Sequence, residues 1–219
     1  MRKTINKIIV GTLVTGLAFG GAMSTLTLPA AAKAQPTSRI NFELPDYEHE
    51  TEGKMIEEVY DYVEDDIGDF YPEAAVGIPC PIIIDIDESN PKDIRVYGDF
   101  EFFTYSLQGD TLVTEAGGSH PGCIHLRKEA DGDYEVKKFD QVEDGSKFDE
   151  SAKKIFGESR YQKFMEEQSN AEYRDEVRNQ IVANYVAENN LAITKIQDYG
   201  WDPVELPEAN SDSFTSFTK

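Results

Sequence analysis

The sequence predicts an α+β domain in which a bent antiparallel sheet is packed by an N-terminal helix and by C-terminal helices. Apolar residues recur at steps of three and four just after residue 51, which is the spacing of one helix face. Residues 93–142 alternate between apolar and polar side chains and contain turn signals, which is typical of an antiparallel meander. Helical spacing returns between residues 151 and 190. A run of strands flanked by helices indicates the α+β class.

The chain divides into four parts. A basic segment with Arg2, Lys3 and Lys7 precedes an uncharged apolar run, and Ala32-Lys33-Ala34 forms an A-x-A cleavage site. We therefore expect a signal peptide over residues 1–34, a mature chain that begins at Gln35, and secretion to the extracellular side. An uncleaved anchor is the alternative, because the apolar run is long enough to cross a bilayer. The remaining parts are a polar arm over 35–50, a single domain over 51–206 and a disordered tail over 207–219.

The first predicted helix has an apolar face and an acidic outer face. Gly68 follows its last apolar position and is expected to end the helix. The apolar positions are Met55, Ile56, Val59, Tyr60, Val63 and Ile67.

Turn chemistry sets the register of the predicted meander. A two-residue loop at Gly109-Asp110 pairs Leu107 with Leu112, Tyr105 with Thr114 and Phe103 with Ala116. A three-residue loop at Ala130-Asp131-Gly132, with Gly132 left-handed, pairs Leu126 with Val136 and Lys128 with Tyr134. The apolar residues of the long strand change parity midway, so we expect a bulge or a strong bend between Gly98 and Thr104.

The C-terminal helices follow the meander. Gly157 is expected to end a short first helix, and Ser169-x-x-Glu172 has the pattern of a capping box that opens the last one. The apolar residues of the last helix repeat every four positions, and Asn189-Asn190 should end it. These apolar residues are Tyr173, Val177, Ile181 and Tyr185. Trp201 is expected to lie in the core or to cover the sheet.

The charge of the chain excludes some partners. The formal net charge is −21, and removal of the basic leader would make the mature chain still more negative. Nucleic-acid affinity depends on Lys and Arg that neutralise phosphates, so we expect no nucleic-acid partner and no membrane association after cleavage. The expected partner is an unknown small molecule or a component of the cell envelope.

The segment GGSHPGCIHL, residues 117–126, concentrates two of the three histidines and one of the two cysteines. Metal binding needs more ligands nearby, and His49 lies in the polar arm, so we expect no metal and no cofactor. Adjacency in the sequence does not make Ser119 a nucleophile with His120 as its general base. Pro121 also stands where the G-x-S-x-G pattern of a nucleophile elbow requires glycine. An even cysteine count in an exported protein predicts a disulfide between Cys80 and Cys123.

The segments VYGDFEFFTYSLQGDTLVTEAGGSHPGCIHL, DGDYEVKKFD and QDYGWDPV resemble secreted, uncharacterised bacterial proteins of the nuclear transport factor 2-like superfamily, which has a cystatin-like α+β fold. The resemblance covers roughly residues 51–205, although helices that follow the sheet depart from the simplest form of that fold. The resemblance implies a cone-like domain whose concave sheet forms a pocket. It implies no single activity, because the superfamily contains isomerases, dehydratases and plain binding modules.

Two functions remain open at this point. The first is an exported, non-catalytic binding or envelope-associated module. The alternative is a small-molecule enzyme of isomerase or dehydratase type, with acid and base groups in the concave sheet. The candidate pocket residues are Tyr97, Asp99, Glu101 and His125. His125 and Cys123 share a strand parity that is opposite to that of Ile124 and Leu126, so His125 is expected to point away from the core.

Overall fold

The structure is a computed structural model that describes residues 44–48 and 53–210. Within these residues it forms three helices and one bent, open sheet of seven strands, which confirms the predicted α+β class. The helices are α1 (Lys54–Tyr62), α2 (Phe148–Ser169) and α3 (Ala171–Glu188). The strands are β1 (Val76–Asp87), β2 (Ile94–Gln108), β3 (Thr111–Gly118), β4 (Pro121–Lys128), β5 (Tyr134–Gln141), β6 (Lys195–Gln197) and β7 (Val204–Glu205).

Strand β2 organises the sheet. It pairs antiparallel with β1 along one edge, and with β4 and β3 in succession along the other. The pairs Asp99–Pro121 and Phe102–Gly118 keep one register, so β3 and β4 lie in line and only Ser119 and His120 interrupt them. Strand β5 extends the sheet beyond β4, and β6 adds to β3 in parallel, with β7 antiparallel to β6. Strands β6 and β7 were not predicted from the sequence.

Helices cover both faces of β2. Val59, Val63 and Ile67, on α1 and the π turn after it, pack against the side of the sheet that carries Val96 and Phe100. The neighbouring positions of β2 point to the opposite face. There α2 packs against Tyr97 and Cys123, and α3 packs against Ile78, Cys80 and Tyr105. Polar residues on the second face are therefore buried in the middle of the molecule.

Both predicted hairpins have the expected loops. Gly109 has a φ of +66°, and Leu107–Leu112 and Tyr105–Thr114 are paired as predicted. The predicted pair of Phe103 with Ala116 is wrong, because an extra residue at Glu115 moves Phe103 opposite Gly117. The second hairpin is confirmed in full, since Gly132 has a φ of +93° and both predicted pairs form.

The bend of the sheet arises in the neighbours of β2. The extra residues are Ile84 in β1 and Glu115 in β3, and the chain is also interrupted at Ser119 and His120. Strand β2 itself runs through the predicted 98–104 region without a break. Its apolar residues change parity because α1 covers one face of its first half and α3 the other face of its second half.

Two predicted helix ends need correction. Gly68 has an ordinary helical φ of −56° and begins a 3₁₀ turn instead of ending the helix. Its missing side chain lets this turn approach Phe102, whose ring lies 3.0 Å from where a Cβ atom would stand. The cap of α3 is Asn170, whose side chain accepts a hydrogen bond from the Tyr173 amide, and not the predicted Ser169. Gly157 does interrupt α2 as predicted, with φ +69° and ψ 166°.

The segments beside the predicted domain also contact it. Leu44 and Tyr47 are buried, and the Tyr185 hydroxyl donates to the Pro45 carbonyl oxygen. At the other end, the side-chain amide of Asn184 exchanges two hydrogen bonds with the main chain of Asn210. The leader, most of the arm including His49, and residues 211–219 lie outside the described residues.

The predicted disulfide is wrong, because Cys80 and Cys123 are both buried and not bonded. Cys80 lies opposite Glu101 on one side of β2, and Cys123 lies opposite Tyr97 on the other side. Two strand spacings, about 10 Å, and four residues along β2, about 13 Å, therefore separate them. A disulfide needs Cα atoms within about 7 Å of one another.

The predicted burial of Trp201 is also wrong. Its side chain is 76% exposed and lies in the loop between β6 and β7, two residues after the exposed Tyr199. The short β6–β7 pair lies at the margin of the sheet, so this loop points away from the core.

Candidate functional site

The four candidate pocket residues lie on the face of the sheet that α2 and α3 cover, but at two separate clefts. Tyr97, Asp99 and Glu101 alternate along β2, and His125 lies opposite Arg95 on β4. Tyr97 and His125 line a cleft near the start of α2, and Glu101 lines a smaller one at the α2–α3 junction. Asp99 is buried and contacts Gln168 and Arg174, two residues that line the smaller cleft.

The larger cleft, which we call the sheet–helix cleft, has a volume of about 670 Å³. Strands β2, β4 and β5 form its floor, and the beginning of α2 forms its wall. Arg95, His125 and Lys138 are paired in register across these three strands, so three basic side chains form one row. Lys147 and Lys154 face the row from the wall. Asp140, Glu143 and Glu150 also line the cleft, so five basic side chains stand beside three acidic ones, in contrast to the net charge of −21 for the whole chain.

His125 is buried, with 7% of its surface exposed, which differs from the predicted outward position. Its Nδ1 lies 2.6 Å from Asp93 Oδ1, and its Nε2 lies 3.1 Å from Asp140 Oδ2. A neutral imidazole can donate from one nitrogen only, so both contacts can be donated hydrogen bonds only when the ring is an imidazolium. The hydrogen bond from His125 is the main cause that lowers the pKa of Asp93.

The other lining groups are also held by neighbours. Tyr97 packs against Phe156 at 6.0 Å and under the Arg160 guanidinium at 4.3 Å, and burial raises its pKa. Lys138 pairs with Asp140, and Lys147 pairs with Glu143. In the described part of the chain, Lys154 makes no ion pair. It is therefore the cation most available to a ligand.

A buried carboxylate cluster lies at the second cleft. The Ser119 hydroxyl lies 2.8 Å and 2.7 Å from the two oxygens of Asp99, and Gln168 Nε2 donates to Oδ2 at 2.5 Å. Arg174 Nη2 is shared, since it contacts Glu101 Oε1 and lies 3.2 Å from Asp99 Oδ2. Two carboxylates thus share one guanidinium group.

Burial raises the pKa of Glu101 to about 7, and the negative charge of Asp99 adds to the rise while Arg174 opposes it. A carboxyl group of this kind is partly protonated at neutral pH and can give or accept a proton. Glu101 is 4% exposed and is reached through the smaller cleft, which we call the corner cleft.

In the GGSHPGCIHL segment, no histidine is placed to act as a general base for a serine or cysteine nucleophile. His120 contacts the Tyr71 hydroxyl at 2.6 Å and the Gln141 amide at 3.1 Å, whereas the Ser119 hydroxyl is bonded to Asp99. Burial lowers the pKa of His120. Burial also raises the pKa of Cys123 to about 12, so its nucleophilic thiolate form is scarce at neutral pH.

Sequence reasoning missed the partners that α2 and α3 contribute. Gln168, Arg174 and Arg178 all line the corner cleft. A signal was present, because Arg174 and Arg178 stand one helical turn apart beside the apolar stripe that begins at Tyr173 and Val177. Arginines next to a buried helix face need acceptors. Strand β2 provides Asp99 and Glu101 for Arg174, and the loop after β6 provides Asp198 for Arg178.

In the parts of the chain that the structure describes, no cluster of three or more His, Cys, Asp or Glu side chains is arranged to hold a metal ion. No helix among the described residues is long and apolar enough to span a bilayer. A scan against protein-family models, a search of curated proteins and a search of solved structures each found no match.

Proposed function

We propose that the protein is an exported, non-catalytic binding module that holds a small anionic molecule in the sheet–helix cleft. The volume of about 670 Å³ is within the range of about 300–1,000 Å³ that is usual for small-molecule sites. The proposal keeps the small-molecule partner expected from the sequence and adds a sign of charge to it.

The cross-strand row of Arg95, His125 and Lys138 is the observation that carries this proposal. Rows of this kind place basic side chains about 5 Å apart across a sheet. Acidic neighbours such as Asp93 and Asp140 hold the row in place, and Lys154 faces it without an ion pair in the described residues. An anion entering the cleft would gain charge-assisted hydrogen bonds there.

The state of the lining groups supports binding without catalysis. Both ring nitrogens of His125 contact carboxylates, and burial raises the pKa of Tyr97 and of the Cys123 thiol. Tyr97 and Cys123 are therefore poor nucleophiles at neutral pH, and the contacts with Asp93 and Asp140 occupy both nitrogens of His125.

Export rests on the leader-like sequence of residues 1–34, and the nuclear transport factor 2-like relationship rests on the sequence resemblance. The bent sheet is compatible with that relationship. N-terminal sequencing of protein recovered from the medium of cells that express the full chain tests export. A first residue at Gln35 supports it, and a chain retained in the membrane with Met1 intact contradicts it.

Calorimetry with inorganic phosphate, succinate and citrate tests the binding proposal, with glucose as the uncharged probe. We expect at least one anion to bind the wild type and the Lys153→Glu variant, and to bind Lys154→Glu at least tenfold more weakly. Lys153 is the matched control, because it stands next to Lys154 but does not line the cleft. Equal losses in the two variants, or no binding of any anion, would refute the proposal.

The second candidate is a small-molecule enzyme of isomerase or dehydratase type that acts at the corner cleft. The pKa of Glu101, raised to about 7 beside Asp99, favours it, because such a group suits general acid–base catalysis. Incubation with a mixture of small hydroxy acids and keto acids, followed by NMR, tests it. Turnover by the wild type that is lost in Glu101→Gln supports catalysis, and an unchanged mixture counts against it.

A further inference from the structure

The corner cleft has a separate chemistry of its own. Its volume is about 270 Å³, and it opens where the end of α2 and the start of α3 cross β2. Phe103 forms an aromatic part of the lining, and the Arg178 guanidinium lies 4.7 Å from the centre of this ring. A cleft of this size suits a molecule of a few heavy atoms.

Glu101 is the buried acceptor that is available in this cleft, and the exposed carboxylate of Asp175, 3.8 Å from Arg178, also lines it. Asp99 already receives Ser119, Gln168 and Arg174, whereas Glu101 receives Arg174 through Oε1 alone. The second oxygen of Glu101, Oε2, has no hydrogen-bond partner among the described residues. Since Arg178 is paired with Asp198, the carboxyl groups of Asp99 and Glu101 face the single guanidinium group of Arg174, and one negative charge lacks a partner whenever Glu101 is ionised. A positively charged group of a ligand would balance it.

Donors lie on the other side of the same cleft. Arg174 uses Nη2 for both carboxylates, and its Nη1 and Nε have no acceptor among the described residues. Ala171 is the first residue of α3 and lines the cleft, and the amides of a first helical turn have no acceptor within the helix. The Asn170 side chain satisfies the Tyr173 amide, and Ala171 is the residue of the first turn that lines the cleft, so its amide is the donor offered to a ligand. A carboxylate is the group that such donors favour.

We infer that the corner cleft binds a small α-amino acid, whose ammonium group meets Glu101 and whose carboxylate meets Arg174 and the first turn of α3. The acceptor and the donors line one small cleft, as the two charges of such a zwitterion require. Phe103 offers its ring to the side chain. Glu101 is partly protonated at neutral pH because its pKa is raised to about 7. An ammonium group can take the place of this proton beside the carboxylate, which favours binding of the amino acid. This inference goes beyond the anion site, which lies in the other cleft.

Binding of L-alanine and L-serine, measured by calorimetry, tests the inference against acetate and methylammonium, which each carry one of the two charges. We expect an amino acid to bind at least about tenfold more tightly than either single-charge probe, because hydrogen bonds to charged groups are worth a factor of that order. Equal affinity for acetate or methylammonium, or no binding of either amino acid, would overturn the inference.

Variants locate the site. Glu101→Gln should weaken amino-acid binding about tenfold or more. Glu176→Gln, the same change at an exposed residue of α3 that does not line the cleft, should leave the binding unchanged. Ala171→Phe should abolish binding by filling the cleft while the buried cluster stays intact. Circular dichroism checks that each variant is folded. If Glu101→Gln does not fold, amino-acid binding by Ala171→Phe is the test of the inference. Full binding by the folded Ala171→Phe protein would contradict the inference, whatever the result for the anion site.

Discussion

Glu101 is the residue at which burial and charge compete most directly. Its pKa is about 7 in the folded protein, against an ordinary value of about 4.5 in the unfolded chain. A carboxyl group with a raised pKa binds more protons when folded, so its contribution to stability is complete below pH 4.5 and is lost as the pH rises to about 7. The rise in pKa from 4.5 to about 7 corresponds to about 3 kcal/mol, since one pKa unit is about 1.4 kcal/mol. Relaxation of the protein around the ionised group lowers the expected loss of unfolding free energy to about 2 kcal/mol.

We therefore expect Glu101→Gln to remove part of the decline in unfolding free energy between pH 4.5 and 7. Glu64 also has a pKa raised to about 7, mainly by burial and then by Asp65, so the wild type would decline for two reasons. Urea unfolding at several pH values, compared between wild type and Glu101→Gln, isolates the share of Glu101. Identical slopes in the two proteins would show that Glu101 is ionised normally.

The two cysteines should behave as buried thiols. Cys80 and Cys123 are 0% and 1% exposed, and burial raises the pKa of both. Because the thiolate is the reactive form, we expect almost no reaction of the native protein with iodoacetamide, and two modified cysteines after unfolding without reductant. Intact mass spectrometry measures both states. If the unfolded chain is labelled only after reductant is added, the two cysteines form the predicted disulfide.

At the scale of elements, the beginning of α3 distinguishes the predicted cap from the observed one. Asn170 accepts from the Tyr173 amide, whereas the Ser169 hydroxyl donates back to the Glu166 carbonyl oxygen. We expect Asn170→Ala to lower the unfolding free energy by about 1 kcal/mol, and Ser169→Ala to change it by less than about 0.5 kcal/mol. Chemical denaturation of the pair measures the difference. The reverse order would support the capping box.

Gly157 makes the two segments of α2 possible. With φ +69° and ψ 166°, it occupies a region that is almost restricted to glycine. Gly157→Ala should therefore lower the unfolding free energy by about 2 kcal/mol, although Ala is the better helix former. Ser159→Ala, at an exposed position two residues later in α2, is the control and should be close to neutral. A stabilised Gly157→Ala protein would mean that α2 is one continuous helix.

The elements themselves could be predicted from sequence because their signals are local. The spacing from Met55 to Ile67 indicated α1, and Gly109 and Gly132 set the loops of two hairpins. The registers followed from these loops until Glu115 added a residue, which no local pattern announced. Helix ends were harder, since adjacent residues such as Ser169 and Asn170 can both act as caps.

For the molecule as a whole, the order of strands in the sheet determines where the cysteines and the candidate site residues lie, and this order could not be predicted from the sequence. Cys80 in β1 and Cys123 in β4 were predicted to form a disulfide from the cysteine count alone. Strand β2 lies between β1 and β4 and keeps the two cysteines apart. His125 was expected to point outward because it lies on the polar parity of β4, but α2 and the acids Asp93 and Asp140 cover that face. Tyr97, Asp99, Glu101 and His125 do share one face, as alternation suggested. Their division between two clefts depends on where α2 ends and α3 begins.

An NMR titration with the anion that binds most tightly in the calorimetric experiments tests directly whether the sheet–helix cleft holds a small anion. We predict that the imidazole signals of His125 and the amide signals of Arg95 and Lys138 shift together and saturate with one dissociation constant. The indole signal of Trp201 provides an internal control, because this residue lies in the β6–β7 loop and does not line the cleft. Shifts confined to other surfaces, or an anion that leaves the His125 signals unchanged at saturation, would contradict the account.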